Sequence, residues 1–137
     1  MEGGRLISHV LDTCALLDLA SGRWTDPEAR KELIQASRPV LLAVSVWEIA
    51  RKLRVGKLTL PCAQSGVLHF VQSVCDRHQI DIEILDAELC HAAELLPAVH
   101  EDPFDRMIIG LAHQNACPVF TTDGRFSSYP VRVIRQH

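Results

Sequence analysis

The chain has 137 residues, 47% of them hydrophobic, which suits one domain with its own core and is too short for two ordinary ones. Its formal net charge of −3 offers no global attraction to nucleic acid, so any RNA contact has to come from a local basic patch. Five cysteines, odd in number and without a CxxC pair or a zinc spacing, point to neither a disulfide framework nor a structural zinc, and there is no long apolar lead and no apolar run of the ~18 residues a membrane span needs, so a soluble cytoplasmic protein is expected.

In chain order, Leu6 to Leu11 is a short apolar run that reads as a first strand, followed by Asp12, Thr13 and a helical stretch from Cys14 to Ala20. Asp26 and Pro27 are an N-cap and first helical residue for a segment reaching about Ala36, which Pro39 stops. Val40 to Val44 has the continuous apolar character of a strand buried on both faces. Ser45 then reads as the N-cap of a helix from Val46 to Val55, with Gly56 at its C-terminal end.

An extended linker, Lys57 to Pro61, leads to a helix over roughly Ala63 to His78, and Ile80 to Leu85 alternates as a partly exposed strand does. Asp86 caps a helix from Ala87 to Leu96, and Asp102 with Pro103 opens another, whose Phe104, Met107, Ile108, Leu111 and Ala112 keep helical spacing. Pro118 to Thr121 and Val131 to Ile134 finish as two short strands, and the alternation predicts an α/β fold with a mostly parallel central sheet flanked by helices.

Four carboxylates stand at the joints of this pattern: Asp12 in HVLDT, Glu48 in SVWE, Asp105 in DPFDR and Asp123 in VFTTD. In open α/β sheets functional groups gather at the carboxyl ends of the strands, so acids far apart in sequence can meet there. Each also has a structural reading. Ser45 and Glu48 form a capping box, Asp102 is a natural N-cap, and Asp105 is a favourable charge near the positive end of a helix dipole. Asp12 and Asp123 are harder to dismiss, because each follows an apolar run that should be buried, where an unpaired carboxylate is expensive.

Carboxylates sharing a cleft raise one another's pKa unless a dication neutralises them, and oxygen-only ligands favour Mg²⁺ or Mn²⁺ over zinc. A cation of that kind lowers the pKa of water, orients a phosphate and neutralises charge during in-line attack. Phosphodiester hydrolysis by a metal-activated water, leaving 5′-phosphate and 3′-hydroxyl ends, is the chemistry the pattern points to.

The segments HVLDTCALL, SVWEIARKLRVGKLTLP, HEDPFDRMIIGLA and VFTTDGRFSSYPVRVI resemble, in order and over nearly the whole chain, the successive motifs of PIN-domain ribonucleases, specifically VapC-type toxins. His100 with DPFDR, and TTD followed by Phe126, Tyr129 and Pro130, are the most specific elements. The resemblance implies a single PIN domain over residues 1–137 with the family's three-layer fold. It also implies a metal-dependent endoribonuclease held silent by a VapB-like antitoxin, as a toxin homodimer within a toxin–antitoxin assembly.

Asp12, Glu48, Asp105 and Asp123 match the family's acidic catalytic and metal-binding set, Asp102 is a fifth candidate ligand, and Thr13 and Thr122 match small polar positions beside the metal. Gly110 stands where the family more often has Ala, and Met1 to Arg5 add a short lead. For RNA, Arg51, Lys52, Arg54 and Lys57 form a basic cluster after Glu48, and Arg106 and Arg125 flank two other acids; a solvated helix face is the plainer alternative.

Trp24, Trp47 and Tyr129 are candidates for base stacking or for the core, His9 and His100 for proton transfer or packing, and Leu68, Val71 and Val74 for core or a dimer surface. A haloacid-dehalogenase-type phosphatase also places an Asp after its first strand, but needs a second Asp where Cys14 stands. A non-catalytic interaction module of the same fold is the other alternative.

Overall fold

The computed structural model describes residues 6–98 and 101–136; the Met1 to Arg5 lead and His100 lie outside the described residues. The elements run β1 (His9–Leu11), α1 (Thr13–Ala20), α2 (Pro27–Gln35), β2 (Pro39–Leu42), α3 (Val44–Arg54), α4 (Val67–Arg77), β3 (Asp81–Glu83), α5 (Ala87–Glu94), α6 (Pro103–Gln114), β4 (Val119–Thr121) and β5 (Val133–Arg135). Short 3-10 turns occupy Gln64–Gly66 and Gly124–Ser128. The five strands lie in the order β3-β2-β1-β4-β5, and every pairing is parallel.

Parallel strands need helical crossovers, which cover both faces, so the central strands carry apolar residues at successive positions. Val10 and Leu11, Val40, Leu41 and Leu42, and Val119 and Phe120 are all fully buried. Their alternation splits the core in two. Val10, Val40, Leu42 and Val119 pack with Ile108, Ile109 and Leu89 of α6 and α5. Leu11, Leu41 and Phe120 pack on the other face with Leu16, Ile49, Val71 and Val74 from α1, α3 and α4. Val71 and Val74 are thus core, while Leu68 of the same helix is exposed.

Three helix starts follow their caps. The side chains of Asp26, Asp86 and Asp102 accept from backbone N–H groups in the first turns of α2, α5 and α6. The helix after β2 departs from expectation. It begins at Val44, the cap position is Ala43 with no side-chain bond, and Ser45 is a buried helical residue rather than the N-cap of a capping box. The cause is the sheet: the Ala43 N–H donates to the Glu83 carbonyl of β3 at 2.8 Å, which fixes the chain two residues before Ser45.

Gly56 ends α3 with φ of +79°, a conformation a side chain would strain. Gly110 is buried where α6 meets α5; a Cβ there would stand 3.3 Å from Leu89 Cδ1 and 3.4 Å from Ala93 Cα, so its small size lets the two helices approach closely. Arg106 locks the same pair: its guanidinium donates to the carbonyls of Glu94, Leu96 and Pro97 at 3.1, 2.8 and 3.0 Å, satisfying the open end of α5. Among the described residues no helix is long and apolar enough to cross a membrane.

Candidate active site

The connections from β1 run outward through β2 to β3 on one side, and the chain returns to place β4 and β5 on the other. The carboxyl end of β1 is therefore the point where the strand order reverses, the crevice in which open parallel sheets hold ligands. Asp12 is the first residue beyond β1, and its N–H continues the ladder to the Phe120 carbonyl at 3.0 Å. That bond brings Thr121, the last residue of β4, beside Asp12, although 109 positions separate them.

Asp12 is 2% exposed. One carboxylate oxygen accepts from the Ala15 N–H at 2.7 Å, capping α1, and the other accepts from the Thr121 hydroxyl. The Thr121 hydroxyl in turn accepts from the Asp123 N–H at 2.8 Å, so one side chain orients the acid of β1 and the backbone carrying the acid of β4. Burial pushes the Asp12 carboxyl up to about 7; its two hydrogen bonds hold it down in part, and the charges of Asp105 and Glu48 raise it further. It is Thr121, which sequence reasoning passed over in favour of Thr122, that bonds to Asp12 and to the backbone of Asp123; Thr122 hydrogen-bonds to none of these acids among the described residues. The register Leu11 to Phe120 is the signal that would have found Thr121.

Glu48 is also buried. Thr13 donates to one of its oxygens at 2.6 Å and is itself paired with the Ser45 hydroxyl at 2.9 Å; the Lys52 ammonium, one helical turn on, takes the other oxygen at 2.8 Å. Burial lowers the Lys52 pKa, but the hydrogen bond and charge of Glu48 outweigh it and the net direction is upward. Lys52 is thus a partner of a candidate acid first, and any contact with RNA is secondary.

Asp105 sits in the first turn of α6, one residue beyond Phe104, and its charge reaches Asp12, Cys14 and Arg125. Asp102 performs the capping role, one oxygen accepting from the N–H groups of Phe104 and Asp105 at 2.9 and 3.4 Å. Asp123 opens the turn after β4. Its carboxylate is chelated by Arg125, at 2.7 Å from Nη2 and 3.1 Å from Nε, and Arg125 responds further to Asp105 and Asp102. Cys14, beside Asp12, is exposed, and its thiol is pushed up to about 11 by the protein packed around it and then by the charge of Asp12.

Asp105 and Glu48 act on Asp12, and Asp123, Asp105 and Asp102 act on Arg125, yet among the described residues no three His, Cys, Asp or Glu side chains stand close enough to grip an ion as they are arranged. Lys52 and Arg125 draw Glu48 and Asp123 to themselves. The donor chemistry nevertheless suits a hard dication: every donor is oxygen, and the buried Asp12 carries the penalty of two nearby negative charges that a cation would relieve. Such an ion would compete with Lys52 for one oxygen of Glu48 and with Arg125 for Asp123.

The remaining sequence candidates sort by environment. Arg51, Arg54 and Lys57 are exposed after Glu48, whereas the guanidinium of Arg106 is taken up by the end of α5. Trp24 and Tyr129 are 5% and 4% exposed and belong to the core, as does Phe126; Trp47 is 63% exposed. His9 lies at the opposite end of β1 from Asp12, bonded to Glu32 at 3.0 Å and stacked on Phe120, and so packs rather than moving protons at the site.

Solved structures share this fold at low sequence identity. DNA-bound VapBC from Salmonella typhimurium superposes with a TM-score of 0.68 at 16% identity, covering 95% of this chain and 98% of that one. A toxin–antitoxin complex from Klebsiella pneumoniae gives 0.62 at 18% identity, covering 93% and 96%. FitAcB from Neisseria gonorrhoeae gives 0.55 at 23% identity, again covering 93% and 96%. No curated protein sequence matches the chain. The family model described as PIN domain matches residues 9–131, and with the parallel sheet and the acids at its carboxyl edge this establishes that the chain belongs to the PIN domain family.

Proposed function

We propose that this chain is an Mg²⁺- or Mn²⁺-dependent endoribonuclease, the toxin of a toxin–antitoxin pair, which hydrolyses RNA phosphodiester bonds at Asp12, Glu48, Asp105 and Asp123. The observation that carries the reading is Asp12: a fully buried carboxylate at the switch point of a parallel sheet, with two further acids acting on it from α3 and α6. A fold does not need such an arrangement for stability, since each acid adds to the cost of the others. When bound, a divalent cation would supply charge neutralisation for the phosphate and a lowered pKa for the attacking water.

The chain's own residues do the rest. Thr121 and the Ala15 N–H hold Asp12 in place, Thr13, itself paired with the Ser45 hydroxyl, holds Glu48, and Asp102 starts the helix that presents Asp105. Lys52 and Arg125, which now hold Glu48 and Asp123, would have to yield carboxylate oxygens to a cation and would remain as positive charges available to the phosphate. Arg51, Arg54 and Lys57 receive the flanking RNA backbone on an otherwise acidic protein. The toxin–antitoxin complexes among the structural neighbours support a VapB-like antitoxin as partner; the homodimer and the cytoplasmic assembly rest on the family resemblance alone.

A second reading, a PIN fold kept for binding alone, draws on one observation: Glu48 and Asp123 already have internal cations. One experiment separates the two. Antitoxin-free protein is incubated with total bacterial RNA in Mg²⁺, in Mn²⁺ and in EDTA, beside Asp12→Asn. Metal-dependent fragments with 5′-phosphate ends, lost in the variant, support the nuclease; intact RNA under every metal overturns it and leaves the binding module.

A further inference from the structure

The structure separates three aromatic candidates that look alike in sequence. Trp24 and Tyr129 are core, while Trp47 keeps 63% of its surface exposed. An indole that open is held by little, and among the described residues its one ring partner is Phe104, 5.2 Å away at 82°. Trp47 immediately precedes Glu48 on α3, and Phe104 immediately precedes Asp105 on α6. The ring pair therefore bridges α3 and α6 at the positions immediately before two of the candidate acids.

The surroundings tell which ligand suits that ring. Along α3, Trp47, Arg51 and Arg54 follow one another at spacings of four and three, the interval that places residues on one helix face, and all three are exposed. An apolar partner helix would seek a stripe of aliphatic side chains at these positions. A lone open aromatic followed by two guanidiniums instead matches the alternation of base and phosphate in a single strand, where stacking and ion pairing repeat along one line. Phe104 meets the indole at 82°, and with 63% of its surface exposed Trp47 has room for a planar ligand on the ring.

We propose that Trp47, buttressed by Phe104, is a base-stacking platform for the RNA nucleotide flanking the scissile phosphate, with Arg51 and Arg54 taking the backbone phosphates on the far side of that nucleotide. This rests on the nuclease reading and adds to it a specificity-determining residue. Single-stranded or splayed-out RNA is the substrate class it selects, because a base inside a duplex has no free face to offer.

The chain's two tryptophans make the test direct, since Trp24 is buried and serves as an internal reference. Asp12→Asn protein, which cannot cleave on the proposed mechanism, is titrated with a fluorescein-labelled mixed-sequence single-stranded RNA 12-mer. Anisotropy reads binding, and tryptophan emission is read with the unlabelled strand. Inorganic polyphosphate serves as the probe that has the charge and lacks the bases.

RNA should quench the Trp47 emission and shield it from iodide, and polyphosphate should do neither. Adding Trp47→Ala should weaken RNA binding about tenfold, whereas Trp47→Phe, which keeps a ring, should stay within about threefold. Unchanged Trp24 emission in Trp47→Ala reports an intact fold.

RNA that binds by anisotropy without touching the Trp47 emission, with Trp47→Ala binding as tightly, would overturn the platform and leave the nuclease reading standing. Quenching by an amphipathic acidic helical peptide and not by RNA would assign the ring to a protein partner and overturn it as well. Absence of RNA binding, together with absence of cleavage by the wild-type protein, would remove both.

Discussion

Asp12→Asn should stabilise the metal-free protein by an amount that grows as pH rises above 3.8, where the unfolded carboxyl ionises, and levels off above about 7. Burial carries this carboxyl from 3.8 to about 7, a disfavour for the charged form of about 4 kcal/mol at about 1.4 kcal/mol per pH unit. Asparagine keeps an oxygen for the Ala15 N–H, but its amide faces Thr121, whose hydroxyl then has to accept rather than donate. Discounting roughly 1 kcal/mol for that bond leaves a gain of about 3 kcal/mol at pH 8.

The direction in pH follows from proton counting. The folded protein keeps the Asp12 proton to higher pH than the unfolded chain does, so its stability is full below about pH 4 and is lost as pH rises through 7. Urea unfolding in EDTA from pH 5 to 8.5 should therefore show the variant pulling ahead of the wild type by roughly 2–3 kcal/mol, nearly all of it below pH 7.5. At pH 8, Mg²⁺ at about 100 times its Kd should return about 2.7 kcal/mol to the wild type and little to the variant. A difference between the two proteins that does not change with pH, or a variant less stable at pH 8, would refute the burial argument.

Thr121→Val removes the hydroxyl shared by Asp12 and the Asp123 N–H, and should cost roughly 1–3 kcal/mol in urea unfolding while raising the pH at which Asp12 titrates, readable by carboxyl NMR. Arg106→Ala should lower stability by roughly 1–3 kcal/mol through the loss of three carbonyl contacts at the end of α5, with RNA affinity by anisotropy unchanged, whereas Arg51→Ala and Arg54→Ala should weaken RNA binding and flatten its salt dependence with stability unchanged.

Signals carried by neighbouring residues were legible before the fold was known. Asp26, Asp86 and Asp102 each cap the helix they announce, and the apolar runs at Val40 and Val119 are the buried strands they resemble. What depended on partners distant in the chain was not. Ser45 looks like a cap because Glu48 stands three residues on, but its hydroxyl is claimed by Thr13, 32 positions away. The choice of Thr121 over Thr122 is a matter of strand register, and the fate of Trp24, Tyr129 and Trp47 is a matter of what packs over each. Lys52 is the instructive case, since a Glu and a Lys four apart on a helix announce their pairing without any tertiary knowledge. Arg106 and Arg125 lie beside acids in sequence, and one turns to the end of a neighbouring helix while the other closes on its own acid.

The bond between Thr121 and Asp12 also sets an order of events. The first acid is made early and its hydroxyl partner 109 residues later, so the chain must synthesise both crossovers on one side of β1 before the strand that completes the other side exists. Closing a loop of that length is a late and entropically costly step in folding. Until it happens Asp12 has only its helix cap, and the turn that carries Thr121 and Asp123 has no carboxylate of β1 to meet. A partly made chain therefore carries the acids without the site, and whatever chemistry they perform together switches on with the docking of β4, at the end of assembly.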